Sequence, residues 1–390
     1  MTVKIVKAKK YDVKSLEDLI RDAIKDVGPD LKNKKTALLK PNIVIAAKPG
    51  SAIITHPAVV EALINVLEEN GFEDIIIGEG PGVGADEARA FEISGYNKLA
   101  AKKNVKLINL NKAERVEIKW KYGTIKIPKI VLETDLYINL PKMKTHGQTA
   151  VTLAMKNQKG LLSRADKQKF HKLGLHEPLV ELAKVIKPHL TVVDAVEGME
   201  GEGPLNGKKK KVGALVIGTN QVETDMVCCD IMGIDHRKVE HIMEGIKQNI
   251  GPEVPDLTGD DIKEVRTKFI QANEKYGRFL NVYSWRNPYA CSMCIDSFSL
   301  AVKSSIWSPK YWITFLPKFT YYAVLKHLYI IQGKHAEIPD VKGKVICLGD
   351  CTREIAEKNN LAHIEGCPPN SREILQTLIK HRKEREDRKA

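Results

Sequence analysis

The sequence predicts an α/β fold: an open, mostly parallel, doubly wound sheet, followed by a smaller C-terminal domain that carries a metal cluster on cysteines. Three observations carry that expectation. Short apolar runs alternate with amphipathic helices over the first two hundred residues, the pattern of successive βαβ units. Those runs lack strict polar–apolar alternation, as strands covered on both faces do. Four cysteines (Cys291, Cys294, Cys351 and Cys367) crowd the last quarter of a 390-residue chain, a length that suits about two domains.

In chain order, TALLKPNIVIA reads as a strand running into a loop. THPAVVEALINVLEENG is a helix with Thr55 or His56 as its cap, Pro57 in its first turn and Gly71 at its end, each residue type suiting its position. FEDIIIGEG is the next buried strand, and GPGVGADEARAFEISG a loop opening into a helix. VKLINL, TDLYINLP, HLTVVDA, VGALVIGT and, much later, KVICLG are further strands. The stretch IGPEVPDLTGDD, rich in Pro, Gly and acid, is the best boundary. It divides an α/β core domain, 1–255, from a cysteine-bearing domain, 256–390.

Composition narrows the class. Hydrophobic content of 43% and charged content of 28% describe an ordinary soluble globular protein. MTVKIVKAKK has charge but no apolar core behind it, so no signal peptide is expected and a cytoplasmic protein is. Seven unequally spaced cysteines argue for metal or redox chemistry in a reducing compartment rather than a disulfide framework. The net charge of +13 suits an anionic ligand, nucleic acid or an acidic membrane surface. A solvated lysine-rich surface is the plain alternative. Segment 305–332 is aromatic-rich but interrupted by Pro309, Pro317, Lys310, Lys318 and Lys326, too broken to span a membrane. It reads as an aromatic lid over a metal site or substrate pocket, or as a peripheral membrane contact.

Ligands of open parallel sheets bind beyond the carboxyl ends of the strands, so residues there are the candidates. Lys40 and Asn42 follow the first core strand, and the run from Gly78 to Gly84, including Gly80 and Gly82, follows the second. Its backbone N–H groups suit an anion, although a permissive turn explains the glycines as well. In INLPKMKTHGQTAVTLAMKNQKG, Lys142, Lys144 and His146 crowd the turn after a strand. A helix then carries Lys156, Asn157 and Lys159 to Gly160. That density of cations favours a bound carboxylate or phosphate, with Lys144 and His146 as catalytic candidates. His171 and His176 do not share a helix face well, so a zinc pair of the HExxH type is not expected. In VVDAVEGMEGEGPLNG, Asp194 ends a strand, and Glu197, Glu200 and Glu202 lie in a glycine-rich turn. Asp194 and Glu200 are candidates for a general base or a hard-cation site, and Asp225 is placed to join them.

The cysteines sort by context. Cys228 and Cys229 lie in an apolar helical stretch and Cys347 in an apolar strand, where thiols pack as small hydrophobes. Cys291 and Cys294 form a CxxC, while Cys351 and Cys367 sit in Gly- and Pro-bearing turns. Zinc ribbons favour two CxxC knuckles, and this chain has one. A CxxC with two solitary cysteines fits a [4Fe–4S] cluster better, with zinc as the alternative and a dithiol redox pair as a third reading.

KPNIV, THPAVVEAL, DIIIGEGPG, INLPKMKTH, TLAMKNQKG, VVDAVEGMEGEGP and IMGI together resemble the signature of domain-of-unknown-function family 362. Its members are often described as uncharacterised Fe–S centre proteins. The resemblance covers roughly residues 35–250 and implies the same fold and a cluster, but no settled reaction. In plan alone, the first domain is also similar to the nickel-pincer lactate racemase family, without that family's cofactor-lysine signature.

The expectation is therefore an iron–sulfur oxidoreductase of anaerobic type. A small anionic substrate would sit on Lys40, Asn42, Lys142, Lys156 and Asn157, and an electron-donor protein would act as partner. The alternatives are a stapled scaffold binding nucleic acid or a protein partner through its basic surface, and a redox-silent isomerase or transferase.

Overall fold

Along the central strands of the first sheet, neighbouring residues serve different cores. Leu38, Ile76 and Tyr137 pack on one face with Leu161, Phe170 and Leu179. Ala37, Leu39, Ile75, Ile77 and Ile138 pack on the other with the helices Val13–Val27 and Pro57–Glu69. A strand buried on both sides needs apolar residues at every position, which explains the unbroken apolar runs. The computed structural model describes residues 2–380 apart from 83–84, 148, 273–276, 287–293, 295–296, 299–300, 303–304, 306–312, 314, 334–335, 337, 339–342 and 367–368. The chain divides into two units, Met1–Ile270 and Gln271–Ala390.

The first unit holds a ten-stranded sheet whose main path runs β12-β1-β11-β10-β7-β2-β3-β4. These strands are β1 (Val3–Lys7), β2 (Thr36–Pro41), β3 (Asp74–Glu79), β4 (Lys106–Asn109), β7 (Leu136–Leu140), β10 (Leu190–Glu200), β11 (Lys208–Gly218) and β12 (Leu257–Gly259). Two further strands, β8 (Lys142–His146) and β9 (Ala150–Thr152), leave that path, β8 pairing with β10 and with β9. A separate hairpin is formed by β5 (Arg115–Trp120) and β6 (Gly123–Pro128). The pairings β2/β3, β3/β4, β2/β7, β7/β10, β8/β10 and β1/β12 are parallel, while β11 is antiparallel to both its neighbours. This is the mostly parallel, doubly wound sheet that the sequence predicts. The helix Pro57–Glu69 is capped by His56, whose Nδ1 accepts the Ala58 N–H at 3.1 Å.

The proline- and glycine-rich stretch 250–261 contains β12, which pairs with β1 at the sheet edge. Val265 and Phe269 beyond it are buried in the same core as Val3 and Ile5. That burial keeps the chain up to Ile270 with the first unit.

The second unit is a small sheet ordered β13-β14-β15-β16-β17: β13 (Gly277–Phe279), β14 (Val282–Arg286), β15 (Leu328–Gln332), β16 (Lys344–Leu348) and β17 (Ala362–Ile364). All its pairings but β13/β14 are parallel. Leu328, Ile330, Ile346 and Leu348 pack against Phe298, Phe315 and the helix Ser371–Lys380, while Ile331 and Cys347 face the other side. Of the aromatic segment 305–332, residues 306–312 and 314 lie outside the described residues. Among the described residues no helix is long and apolar enough to cross a membrane.

Ile138 lies in the middle of β7 with no solvent exposure. Ile138→Ala is expected to cost about 2–5 kcal/mol through lost burial and the cavity left behind. A urea titration should show a lower midpoint at an unchanged slope.

Candidate functional site

From β2 the chain steps outward to β3 and β4, then returns to the other side of β2 as β7 and goes on to β10. The winding direction therefore reverses between β2 and β7. At such a switch point the loops leaving the two strands part and open a crevice at their carboxyl ends. Lys40, at the end of β2, pairs in register with Asn139 of β7, so both strands deliver polar residues to that crevice.

Lys142, Lys144 and His146 were expected in a turn. They lie instead on β8, which runs parallel to β10 and folds back antiparallel onto β9. Alternate residues of a strand share a face, so the two lysines and the histidine project together, while Met143 opposite them enters the core. The helix expected to carry Lys156 to Gly160 is a four-residue turn, Ala154–Asn157, continued as a 3₁₀ turn, Gln158–Leu161. Asp225 caps the first of these turns, accepting the Ala154 and Met155 N–H groups at 2.6 and 3.1 Å. Burial pushes its carboxyl up to about 7, against the pull of those hydrogen bonds. It is an anchor for the turn rather than a partner of Asp194.

Two lysines are neutralised by carboxylates. Lys40 Nζ lies 2.9 Å from Glu79 Oε2, and both side chains are buried. Lys142 Nζ lies 2.9 Å from Asp194 Oδ2, with exposures of 1% and 0%. Asp194 also accepts from the Tyr11 hydroxyl at 3.0 Å and from the His56 N–H at 2.9 Å. Tyr11 in turn accepts from Lys142 at 2.7 Å and stacks on His56 with ring centroids 3.8 Å apart. With both oxygens occupied, Asp194 is the counter-charge that holds Lys142.

The remaining amines have other partners. Lys144 Nζ donates to Asn42 Oδ1 at 2.6 Å and to the Ile53 carbonyl at 2.8 Å. Asn42 donates to Asn157 Oδ1 at 2.9 Å, and Asn157 donates to Asn139 Oδ1 at 2.8 Å. This amide chain ties β2, β7 and the Ala154–Asn157 turn together. Lys156 Nζ lies 2.9 Å from His146 Nε2. Burial, reinforced by Lys142, lowers Lys144 to about 7. Burial reinforced by Lys144 lowers Lys156 to about 7, and burial reinforced by Lys156 and Lys167 lowers Lys159 to about 6. Like charges this close cannot all stay protonated, so the group holds fewer protons at neutral pH than separate lysines would. Lys156 and Lys159 are half-buried as residues, unlike the fully buried Lys40, Lys142 and Lys144.

The glycine-rich run after β3 serves packing. Gly80 donates its N–H to Glu79 Oε1 at 2.7 Å, and Gly82 donates to the Val44 carbonyl at 2.9 Å. A Cβ on Gly80 would sit 2.5 Å from the Gly160 carbonyl oxygen, so a close approach of two loops explains this glycine. Lys167, which the sequence did not single out, donates to the Gly80 and Pro81 carbonyls and to Asn111 Oδ1, at 2.9, 3.2 and 3.0 Å. Burial lowers it to about 8. Val83 and Gly84 lie outside the described residues.

The expected acidic turn is largely strand. β10 runs to Glu200 and pairs antiparallel with Lys208–Lys211 of β11. Glu197 and Glu200 form ion pairs with Lys209 and Lys210 at 3.1 and 3.3 Å. Glu200 also accepts the Ile270 N–H at 3.0 Å. Its carboxylate is engaged there, and no hydrogen bond or ion pair joins it to the lysine group among the described residues.

In the second unit, Cys291 and Cys367 lie outside the described residues. Cys294 is buried and Cys351 partly exposed, in the turn Asp350–Thr352 beyond β16. A Cβ added to Gly349 would sit 2.8 Å from Cys294 Sγ and 3.7 Å from Cys351 Sγ. Two sulfurs therefore converge on a spot that only glycine leaves open, at the carboxyl end of a parallel strand. Gly349 also has φ +89, a conformation glycine adopts without strain. The thiols suit a soft metal or cluster. Among the described residues, however, no three His, Cys, Asp or Glu side chains gather as a metal site. Cys347 is fully buried, and burial with Cys351 nearby pushes its thiol up to about 11. Cys228 and Cys229 are buried in the core of the first unit.

A group of lysines at the switch point of a mostly parallel sheet marks an α/β protein of the open, doubly wound class. Residues 37–230, which build that crevice, match the family described as Domain of unknown function (DUF362), and the chain belongs to that family. A thylakoid-associated protein of Synechocystis is 27% identical over 266 residues, covering 66% of this chain and 82% of that one. Among solved structures, the lactate racemase apoprotein of Thermoanaerobacterium thermosaccharolyticum is similar at 12% identity with a TM-score of 0.39, over 97% of this chain and 90% of that one. A Thermotoga maritima protein is similar at 10% identity with a TM-score of 0.40, over 92% and 93%.

Lys40→Met strands the Glu79 carboxylate in the interior and is expected to cost about 3–5 kcal/mol. Replacing both members, Lys40→Met with Glu79→Leu, should recover most of that loss in guanidinium unfolding. Equal losses in the single and double variants would mean that the pair is not an electrostatic unit.

Proposed function

We propose that this protein is an enzyme acting on a small anionic organic molecule, a carboxylate or phosphate, held on the amines of the switch-point crevice. One observation carries the reading. Lys144 and Lys156 have no carboxylate in bonding reach among the described residues; their partners are an amide oxygen, a carbonyl and an imidazole. Desolvated cations without counter-charges are costly to a fold, and an anionic ligand offsets that cost. The amide chain through Asn42, Asn157 and Asn139 keeps the amines in place before the ligand arrives, which reduces the ordering cost of binding. The pairing of His146 with Lys156 supplies a general acid–base couple, with the amine poised near neutral pH where such groups work best.

The reading extends to a thiolate centre in the second unit. Cys294 and Cys351, converging beside Gly349, would hold it together with Cys291 and Cys367. A [4Fe–4S] cluster there would supply one-electron transfer, making the protein an oxidoreductase, whereas zinc would make the centre structural. The approach of Cys294 and Cys351 to Gly349 and the partial exposure of Cys351 support a centre of one of these kinds.

Binding an anion raises the pKa of the lysines beside it, so binding takes up protons where those lysines are partly neutral. Affinity for inorganic phosphate or pyruvate is expected to fall as pH rises above about 7, by up to roughly tenfold per pH unit for each linked proton. Calorimetry in buffers of different ionisation enthalpy should register the proton uptake. An affinity indifferent to pH between about 6 and about 9 would remove the lysines from the site.

For the thiolate centre, protein purified without oxygen should contain iron and sulfide and be brown. Cys351→Ala should abolish the colour, whereas Cys347→Ala, on a buried core thiol, should retain it. A colourless protein carrying one zinc would end the redox reading and leave the anion site untouched.

A further inference from the structure

We propose that Lys156 is a nucleophile that forms an imine with the carbonyl carbon of a 2-oxo carboxylate, and that His146 moves the protons of that step. The inference rests on the anion-binding reading and specifies what the anion must carry.

The lysines of the crevice are not equivalent. Lys40 and Lys142 face carboxylates at 2.9 Å, which favour their protonated forms, and both are buried out of reach. Lys144 is fully buried and donates to two oxygens. Lys167 is buried and donates to three. Buried and tied to those oxygens, neither amine is free to move onto a carbonyl carbon. Lys156 differs on each count. It is half-buried, and its amine meets an imidazole nitrogen, His146 Nε2, at 2.9 Å. It has no ion pair among the described residues. An imidazole can take a proton from an amine and return it, which a carboxylamide or carbonyl cannot do. Lys159 lies three residues further on, along consecutive helical turns. That spacing brings side chains to one side of a helical segment. An amine one step from the nucleophile, taking up a proton as the anion arrives, suits a carboxylate attached directly to the reacting carbonyl.

The electrostatics agree with the geometry. A lysine with a pKa of about 7 is about half neutral at pH 7, whereas an ordinary lysine near 10.4 is neutral only to a few parts in ten thousand. The reactive fraction is therefore larger by on the order of a thousandfold. Desolvation beside another cationic group is a recognised way to activate an amine.

The step balances without an oxidant or reductant. The Lys156 lone pair attacks the carbonyl carbon, forming the C–N bond. His146 takes one amine proton and delivers it to the oxygen. The C–O bond then breaks, and the oxygen leaves as water with that amine hydrogen and a proton from solvent relayed by His146, while the nitrogen keeps its other hydrogen. The protonated imine that results withdraws electrons from the neighbouring C–H or C–carboxylate bond, the first requirement for proton exchange or decarboxylation at that carbon.

The test uses the full chain with pyruvate and sodium borohydride at pH 7, followed by peptide mapping; pyruvate binding is followed separately by ligand-observed NMR. One carboxyethyl group on Lys156 is expected, with the other lysines unlabelled as internal controls. Lys156→Arg, which keeps the side-chain length and a charge, should lose the label. His146→Asn should label at least about tenfold more slowly, the low end of what a positioned acid–base group contributes. Pyruvate binding without a label would overturn the imine while leaving the anion site standing. A label on Lys144 or Lys159, or one spread over many lysines, would also overturn it. Absence of pyruvate binding would remove the imine and argue against the anion reading as well.

Discussion

The contact between Lys40 and Glu79 organises the crevice. These residues end two adjacent parallel strands, and their charges meet at 2.9 Å with no access to water. Glu79 does more than neutralise Lys40. Its two oxygens also accept the Ile43 and Gly80 N–H groups, so one carboxylate fixes the first residues of both loops that leave the sheet. The turn bearing Lys156 and Lys159 then presses onto the pair. A Cβ on Gly160 would lie 2.2 Å from Glu79 Oε1 and 2.7 Å from Lys40 Nζ. Buried charge of this kind adds little net stability over a well-packed apolar pair, but it penalises every arrangement in which the partners fail to meet. Here that penalty fixes where the lysine-bearing turn can sit.

The crevice holds two populations of amine in one small volume. Those beside carboxylates are also lowered by burial, but an opposing charge within hydrogen-bonding distance acts against it. Those beside amides and imidazole are lowered toward neutrality, because burial and the neighbouring ammonium groups act in the same direction. Fixed charge for holding an anion and a neutral amine for reacting with it need opposite environments. The alternation of β8 with its hairpin, and the short turn after β9, supply those environments a few residues apart. The second unit repeats the principle with sulfur. Cys347, inside a strand, is held protonated by burial, while Cys351, just past the strand end, reaches solvent.

Much of this was legible from residue order. The capped helix after His56, the buried strands at Thr36–Pro41, Asp74–Glu79 and Leu136–Leu140, and the buried positions of Cys228, Cys229 and Cys347 all follow from local pattern. The hairpin after Pro141 was not legible, because Lys142, Lys144 and His146 alternate polar with apolar over too few residues to separate a strand from a turn. The Glu-rich run after Asp194 read as a loop for its glycines. Its strand character comes from β11, whose lysines supply both the hydrogen-bonding partner and the counter-charge. Tyr11 carries no local signal at all; it meets Asp194 across 183 residues of chain.

By itself, the sequence determined the class of fold and the inventory of chemistry: doubly covered strands, a surplus of lysine near strand ends, and five cysteines between positions 291 and 367. Periodicity and residue type are local, and local forces are enough to set them. Which lysine faces a carboxylate and which faces an imidazole was decided only by the tertiary structure. That choice depends on residues brought together from β2, β3, β8, β10 and the N-terminal segment, and the electrostatic environment of a buried amine is the sum over those neighbours.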